Sequence, residues 1–342
     1  MGAINFEASA MFGSLSDIIG TKSGLALNKP QIIDLLARDE DGSFHEFLEF
    51  EGDEDWVRIR SETFEAMVEF LLFSVGRLER PVNLMPGVRQ YHQYKHDPSA
   101  LKIVHEIAER FHDFLDVALR NPELAPGQKI DPTPFIQKCV DEYGKLGLEI
   151  ADQFISDFAI RLEISSSHFP SVSEWADVAE LEDLFQSEGL GTFYGRFFDQ
   201  RYIDYLHRNF EDIDRINWRK FEGLTGEYFD REGFQVDMGP GRNDDGVDVR
   251  VWKPGDDIEA PPAMIIQCKR QKSKVEKVIV KSLYADILDA DASSGLIATT
   301  SQLAPGARKV CAVRKYPIAE ADRETLRKWI GEMRKPGMGM AT

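Results

Sequence analysis

The chain has 342 residues, enough for two domains of ordinary size, and its hydrophobic (42%) and charged (29%) fractions are those of globular proteins. It has no apolar run of about 18 residues and no basic and apolar leader, so we expect neither a membrane-spanning helix nor a signal peptide. Three widely spaced cysteines, Cys139, Cys268 and Cys311, form neither a zinc pattern nor a disulfide framework. This cysteine usage favours a reducing, cytoplasmic location. The absence of a long apolar run predicts no membrane partner.

The net charge of −18 is unevenly distributed along the chain. Residues 215–342 hold 22 Lys and Arg against 19 Asp and Glu, which gives +3. Residues 1–214 hold 19 against 40, which gives −21. The C-terminal part can therefore face a polyanion, whereas the N-terminal part would repel one over most of its surface.

Residues 1–210 comprise a weakly structured lead-in at residues 1–28 and a mainly helical pattern from about residue 29 onwards. Apolar residues recur at intervals of three and four, as at Ile103 and Ile107, and prolines interrupt the pattern between helices. A further helical block is predicted at residues 175–210. We interpret this region as an all-α regulatory, sensing or assembly domain and place the domain boundary at residue 210.

Residues 211–342 have a different pattern, in which short strands alternate with helices. The predicted order is a helix at 218–233, strands at 234–238, 247–252 and 263–269, a helix at 275–290, a strand at 295–300, a helix at 304–316, a short edge strand near 317–319 and a final helix at 321–334. This order predicts a mixed sheet flanked by helices, and the whole chain is then an α+β protein of two domains.

Polar side chains are expected to converge at one end of the predicted sheet. In VDVRVW the three valines point to one face and Asp248 to the other, because side chains alternate along a strand. In AMIIQCK, Gln267 and Lys269 share a face. If these two strands form a hairpin, Asp248 lies near both Gln267 and Lys269.

This set of groups is suited to a hydrolytic metal site. Mg²⁺ prefers oxygen ligands, which Asp248, the Gln267 amide and the backbone carbonyl of Cys268 can supply. Lys269 would orient or deprotonate the attacking water and offset charge on the phosphate. Glu222, on the preceding helix, would bind the metal through water or tune Lys269.

A basic run follows the second strand and is a candidate for binding a nucleic-acid backbone. Its members are Arg270, Lys272, Lys274, Lys277 and Lys281. Each of these signals has an ordinary structural explanation, since basic runs are usually exposed helix faces. Asp244 and Asp245, in a glycine-rich turn, are predicted to be structural on that ground. The joint pattern D-x-G-x-D, a strand, a loop and Q-x-K is much more specific than any single part.

The joint pattern resembles the Mrr-like branch of the PD-(D/E)xK endonuclease superfamily, the catalytic domain of modification-dependent (type IV) restriction enzymes. The resemblance covers about residues 215–318 and rests on four segments in order: KFEGLTGEYFDREGF, DDGVD, QCKR and GLIATTSQLAPGARKVC. It implies a restriction-endonuclease-like fold and DNA hydrolysis that depends on Mg²⁺, with Mn²⁺ as a substitute. By the same resemblance Asp248 is the metal-binding aspartate, Gln267 and Lys269 are the Q-x-K pair, and Glu222 is the helix glutamate.

Two departures from the superfamily pattern affect these expectations. Gln267 replaces the acidic residue that is common in the wider superfamily, so the site has one negative charge fewer and Glu222 becomes more important. The loop at residues 253–262 is long and acidic, and we expect it to shield or gate the site.

The leading functional hypothesis is an endonuclease that cuts foreign or modified DNA in prokaryotic defence. Double-strand cutting requires two active sites, so a homodimer or a DNA-induced dimer is expected. The N-terminal domain would receive an activating ligand or protein, and its acidic surface would hold the nuclease idle. The alternatives are a catalytically inactive nucleic-acid-binding module on the same fold and a protein-interaction module.

Overall fold

The structure is a computed structural model that describes residues 3–49, 55–78, 88–120, 130–164, 175–241 and 246–334. Asp244 and Asp245 lie outside the described residues, so their predicted structural role is not addressed. Among the helices in these ranges, none has both the length and the apolar character that a membrane crossing requires.

The N-terminal region is mainly helical and also contains two pairs of short strands. Its elements in chain order are β1 (Ala3–Glu7), α1 (Ala8–Ser23), β2 (Leu25–Ala26), α2 (Lys29–Leu36), β3 (Trp56–Arg60), α3 (Ser61–Ser74), α4 (Val88–Tyr94), α5 (Pro98–Leu119), α6 (Thr133–Ile164), β4 (Ala179–Glu180), α7 (Leu181–Gln186) and α8 (Gln200–Arg208). Strand β1 pairs antiparallel with β3, and β2 pairs parallel with β4. The strand pairs were not expected, because two to five residues give too short a periodic signal.

The predicted weakly structured lead-in at residues 1–28 is wrong. Most of it is helix α1, whose residues Met11, Leu15 and Ile19 are fully buried at four-residue spacing. Gly24 ends this helix in the left-handed conformation (φ 70°), and its N–H donates to the carbonyl of Gly20. The sequence therefore contains the apolar spacing of α1, but the helix is short, so this spacing gives only a weak periodic signal.

The predicted helical block at residues 175–210 is only partly helical. It contains α7 and α8, and the chain between them, residues 187–199, is irregular. Three glycines interrupt this stretch, which lowers its helical propensity. Its backbone is held in part by a buried carboxylate, because Glu227 Oε2 accepts the N–H groups of Arg196, Phe197 and Phe198.

The C-terminal region contains a five-stranded mixed sheet, as predicted. Its elements are α9 (Trp218–Arg231), β5 (Gln235–Met238), β6 (Val249–Trp252), β7 (Met264–Lys269), α10 (Lys277–Asp289), β8 (Ser294–Thr299), α11 (Pro305–Arg314), β9 (Ile318–Ala321) and α12 (Arg323–Met333). The strand order is β5-β6-β7-β8-β9, with antiparallel pairing from β5 to β7 and parallel pairing from β7 to β9. The predicted fold class is confirmed, including the short edge strand.

Both faces of this sheet are buried. One face packs against α9 and α12 through residues such as Val249, Ile266 and Leu296. The opposite face packs against α10 and α11 through Ile265 and Ile297. Neighbouring residues in β7 and β8 therefore enter different cores, as expected for strands covered by helices on both sides.

The core on the α9 side continues into the N-terminal region. It includes Met11, Leu71 and Leu206 together with Phe221 and Ile266, so one apolar cluster extends across residue 210. A separate cluster lies between α5 and α6. The proposed domain boundary at residue 210 stays a prediction, and the apolar packing does not change at that point.

The acidic loop at residues 253–262 does not lie near the predicted site. It joins the end of β6 to the start of β7, and Val251 pairs with Met264 next to the loop. Asp248 precedes β6 and Lys269 ends β7, so both residues are at the opposite end of the hairpin. At about 3.3 Å per residue, the six residues of β7 separate the two ends by about 16 Å. The expectation that this loop gates the site is therefore wrong.

Candidate active site

A cleft of about 320 Å³ opens at the end of the sheet where α9 begins and β7 ends. Its lining residues come from α9, from the turn after β5 and from the adjoining ends of β6 and β7. They are Trp218, Phe221, Glu222, Gly241, Asp248, Cys268, Lys269, Arg270 and Gln271. The cleft therefore brings together three of the four predicted catalytic residues.

Asp248 is fixed at the end of β7 by its backbone and its side chain. Its N–H donates to the carbonyl of Ile266 at 3.0 Å, and its carbonyl accepts the N–H of Gly239 at 2.9 Å. Its Oδ2 accepts the backbone N–H of Cys268 at 2.5 Å. The side chain is nearly buried, at 7% exposure, so the carboxylate is held in one orientation at the cleft.

Glu222 is a second buried carboxyl group beside Asp248. Helix α9 begins at an N-cap, Asn217, whose side chain accepts the N–H of Arg219, and Glu222 follows one turn later. Burial, and then the charge of Asp248, raise the pKa of Glu222 to about 8. Two such neighbouring carboxyl groups repel each other when both are ionised, and a proton or a cation between them relieves that repulsion.

Lys269 and Gln267 have different surroundings although they share a strand. Lys269, the last residue of β7, is half-buried and lines the cleft. Gln267 is only 4% exposed and is not among the lining residues. A Cβ atom placed on Gly246 would lie 3.0 Å from Gln267 Nε2 and 4.0 Å from Asp286 Oδ2 of α10. The Gln267 side chain thus lies close to Gly246 and to α10. The roles predicted for Gln267 and Lys269 stay predictions.

The Cys268 side chain is not suited to catalysis or to metal binding. Its Sγ lies 3.6 Å from Thr225 Oγ1 of α9, and burial raises the pKa of this thiol well above its ordinary value. A buried, protonated thiol is neither a nucleophile nor a metal ligand. Only the backbone of Cys268 can serve the site.

Arg219 lies beside the cleft and was not among the predicted site residues. Its Nη1 donates to Glu222 Oε2 at 2.6 Å and its Nη2 donates to the carbonyl of Gly239 at 2.6 Å. The side chain is only 14% exposed. The one available sequence signal was the i, i+3 spacing of Arg219 and Glu222, which is common on exposed helix faces.

The predicted nucleic-acid-binding residues form a strip that begins at the cleft and continues onto α10. All five side chains are exposed, namely those of Arg270, Lys272, Lys274, Lys277 and Lys281. Arg270 donates to the backbone carbonyl of Asp214 at 3.1 Å. Within the described part of the chain, none of the four lysines has an acidic partner in an ion pair. Their charges are therefore available to an anionic ligand.

The oxygen donors of the cleft suit a hard divalent cation such as Mg²⁺. Asp248 and Glu222 supply two carboxylates, the number that Mg²⁺ commonly takes from a protein. In the described ranges no group of three or more His, Cys, Asp or Glu side chains could hold a metal ion. Backbone oxygens, water and a substrate phosphate would have to complete the coordination.

Comparison with known proteins gives one family match. Residues 213–330 match the sequence model of the restriction endonuclease family, Mrr catalytic domain. Among solved structures, the MspJI restriction endonuclease in complex with a 27-mer oligonucleotide is similar at 15% identity with a TM-score of 0.26. That similarity covers 56% of this chain and 44% of the MspJI chain, so less than half of MspJI is represented. No curated protein matches the chain.

Proposed function

We propose that the protein is a divalent-metal-dependent endonuclease acting on DNA, because residues 213–330 match the model of the restriction endonuclease family. The predicted family resemblance is confirmed over a slightly wider range than expected. The family match supports a DNA nuclease. The observation that carries the proposal is the meeting of Asp248, Glu222 and Lys269 in one cleft of this domain.

The site residues would have two roles: some would bind the metal, and Lys269 would act on the attacking water. Asp248 and Glu222 would hold Mg²⁺ or Mn²⁺ together with the backbone carbonyl of Cys268. When bound, the metal would polarise the scissile phosphate and lower the pKa of a water ligand. Lys269 would orient or deprotonate the attacking water and offset negative charge as the phosphodiester is cleaved.

Gln267 is proposed to complete the oxygen donors of the site. Its Oε1 is buried and has no hydrogen-bond partner among the described residues. A buried amide oxygen without a partner is unfavourable, by about 1–3 kcal/mol, and a metal or water ligand would remove that penalty. The neighbouring residue Cys268 donates its N–H to Asp248 Oδ2, so Gln267 adjoins the position of Asp248 along β7.

The wider biological assignment follows from the family and from charge. We propose foreign or modified DNA as the substrate, prokaryotic defence as the role and the cytoplasm as the location. A homodimer or a DNA-induced dimer would supply the second active site for double-strand cutting. The strip from Arg270 to Lys281 would contact the phosphate backbone, and a ligand or protein bound to the N-terminal region would regulate cutting.

A cleavage assay on the full chain tests the proposal. Supercoiled plasmid and phage DNA, each modified and unmodified, are incubated with Mg²⁺, Mn²⁺ or EDTA. We expect nicked or linear products with either metal and intact DNA in EDTA. DNA that binds with normal affinity but is never cut under any of these conditions would favour the alternative, a catalytically inactive binding module.

A further inference from the structure

Arg219 connects the two carboxylate residues of the cleft. It bonds directly to Glu222 Oε2 and, through its other terminal nitrogen, to the carbonyl of Gly239. Gly239 in turn donates its backbone N–H to the carbonyl of Asp248 at 2.9 Å. One side chain of α9 is therefore tied to Glu222 directly and to Asp248 through a single residue.

We propose that Arg219 is a positioning residue that sets the separation of Glu222 and Asp248 for metal binding, an inference that rests on the proposed function. A guanidinium is planar and presents its donors in a rigid fork, so two simultaneous hydrogen bonds fix both partners in one geometry. The donor is charged and largely shielded from solvent, which makes these bonds stronger than those of a surface pair.

Gly241 shows that the turn after β5 is built around this guanidinium. A Cβ atom at Gly241 would lie 3.2 Å from Cζ, Nε and Nη1 of Arg219, closer than side chains usually approach. Gly241 also has φ 88°, in the left-handed region that favours glycine. Gly255 has nearly the same φ, 87°, but no atom of the described residues lies within 4 Å of the corresponding Cβ position. Gly255 is therefore a matched control for backbone strain alone.

An ordinary helix-surface ion pair predicts a different outcome. Exposed i, i+3 pairs contribute little and tolerate exchange of arginine for lysine. A lysine has one nitrogen on a flexible chain and cannot hold Glu222 and Gly239 in a fixed relative position. If Arg219 positions the carboxylates, Arg219→Lys retains charge but loses function.

The test compares full-length Arg219→Lys and Arg219→Ala with the wild-type protein in three measurements. They are Mn²⁺ binding to the free protein by calorimetry, the single-turnover cleavage rate at saturating DNA and metal, and DNA affinity in EDTA. We expect both variants to bind Mn²⁺ about tenfold more weakly and to cut about 100-fold more slowly, because small displacements of catalytic groups are costly. DNA affinity should stay within about twofold of wild type, since the basic strip is unchanged.

Gly241→Ala and Gly255→Ala give a second comparison that leaves Arg219 in place. Gly241→Ala should reproduce the losses in Mn²⁺ binding and cleavage, whereas Gly255→Ala should cut like wild type. This pair decides the matter if Arg219→Ala does not fold. Unchanged Mn²⁺ binding and cleavage in Arg219→Lys and Gly241→Ala, beside an active wild type, would overturn the inference. A wild-type protein that neither binds Mn²⁺ nor cuts would instead overturn the proposed function.

Discussion

The two faces of the five-stranded sheet are built from different parts of the chain. On the α9 side, the core continues from the sheet through Phe221 into the N-terminal helices. On the α10 side, the core residues in the described part of the chain all lie between residues 247 and 307, and those packed against them come from residues 279–318. The carboxylate of Glu222 belongs to the first side and Lys277 and Lys281 belong to the second. Among the described residues, helix α9, which carries Glu222, thus packs in one core with the N-terminal region, whereas the core beneath α10 contains no N-terminal residue.

The segment at residues 187–199 makes this sharing specific. Glu227 of α9 accepts three backbone N–H groups from the segment, and its Oε1 accepts the Arg231 Nε at 2.7 Å. Lys220 donates to the carbonyl of Gly189. The helix that carries Arg219 and Glu222 is therefore held from outside residues 213–330, which gives the N-terminal region a physical route to the cleft.

The largest effect should come from removing residues 1–210. The remaining fragment, residues 211–342, loses core partners such as Tyr202 and Leu206, each worth about 1.5–3 kcal/mol when buried. We expect it to lack a cooperative thermal transition, and we expect no gain in cutting from the loss of the acidic surface. Circular dichroism during heating measures this. A fragment that unfolds cooperatively near the melting temperature of the full chain would show that the α9 side is independent.

The buried pair of carboxyl groups should make stability depend on pH. The pKa of Glu222 rises from 4.5 to about 8 on folding, so the folded protein keeps a proton that the unfolded chain releases. The associated stability is complete below about pH 4.5 and is lost as the pH rises through about 8. In EDTA, we expect the melting temperature to fall between pH 5 and 8, less steeply in Glu222→Gln.

Metal should reverse this pH effect, because a cation replaces the proton between the two carboxylates. Added Mn²⁺ should raise the melting temperature more at pH 8 than at pH 6 in the wild-type protein. Glu222→Gln should show little of this pH-dependent gain. If the gain in melting temperature with Mn²⁺ depended on pH equally in the wild type and in Glu222→Gln, Glu222 would not share a proton with Asp248.

Replacing a glycine by alanine should change the stability of the protein differently on the two faces of the sheet. A Cβ at Gly223 of α9 would lie 2.6 Å from the carbonyl oxygen of Phe197, whereas a Cβ at Gly306 of α11 would have no atom within 4 Å in the described part of the chain. Gly223→Ala should destabilise the protein by about 1–3 kcal/mol through overpacking. Gly306→Ala should be neutral or stabilising by up to about 1 kcal/mol. Urea unfolding of both variants measures the difference, and equal stabilities would remove the contrast between the faces.

The smallest of these effects is expected on the α10 side. Lys277→Gln and Lys281→Gln should each weaken DNA binding and lower the salt slope of log K by about 1. The cleavage rate at saturating DNA should stay unchanged, because neither residue lines the cleft. Lys328→Gln, at an exposed position of α12, is the matched control. A slower rate at saturation would place α10 in the chemistry rather than in binding.

The order of elements in residues 211–334 was predictable from the sequence, because strands of four to six residues alternate with amphipathic helices. The burial of both sheet faces was harder to predict, since the alternation of VDVRVW indicates one core face and one polar face. Val247 lies before β6 and enters the core on the α10 side, apart from Val249 and Val251. A period of two fixes relative side-chain direction only within a strand.

The site was predictable where residues are adjacent along paired strands and not where distant segments meet. The hairpin between β6 and β7 brings Asp248 beside Cys268, and the D…QxK spacing contains that information. The roles of Gly239 and Arg219 depend on how α9 packs against the turn after β5, which no local pattern encodes. The expectation that the acidic loop at residues 253–262 gates the site was wrong although hairpin geometry contradicts it, because a connecting loop lies opposite to the free strand ends.

The most direct test of the central claim, that this cleft is the cutting centre, compares wild type with Lys269→Met and Asp248→Asn. Both substitutions preserve side-chain size, and the asparagine oxygen can still accept the Cys268 N–H. Single-turnover cleavage with Mg²⁺ is measured beside DNA affinity in EDTA and melting temperature. We predict that both variants fold and bind DNA but cut at least about 100-fold more slowly. Cleavage at the wild-type rate by either folded variant would contradict the assignment of the active site.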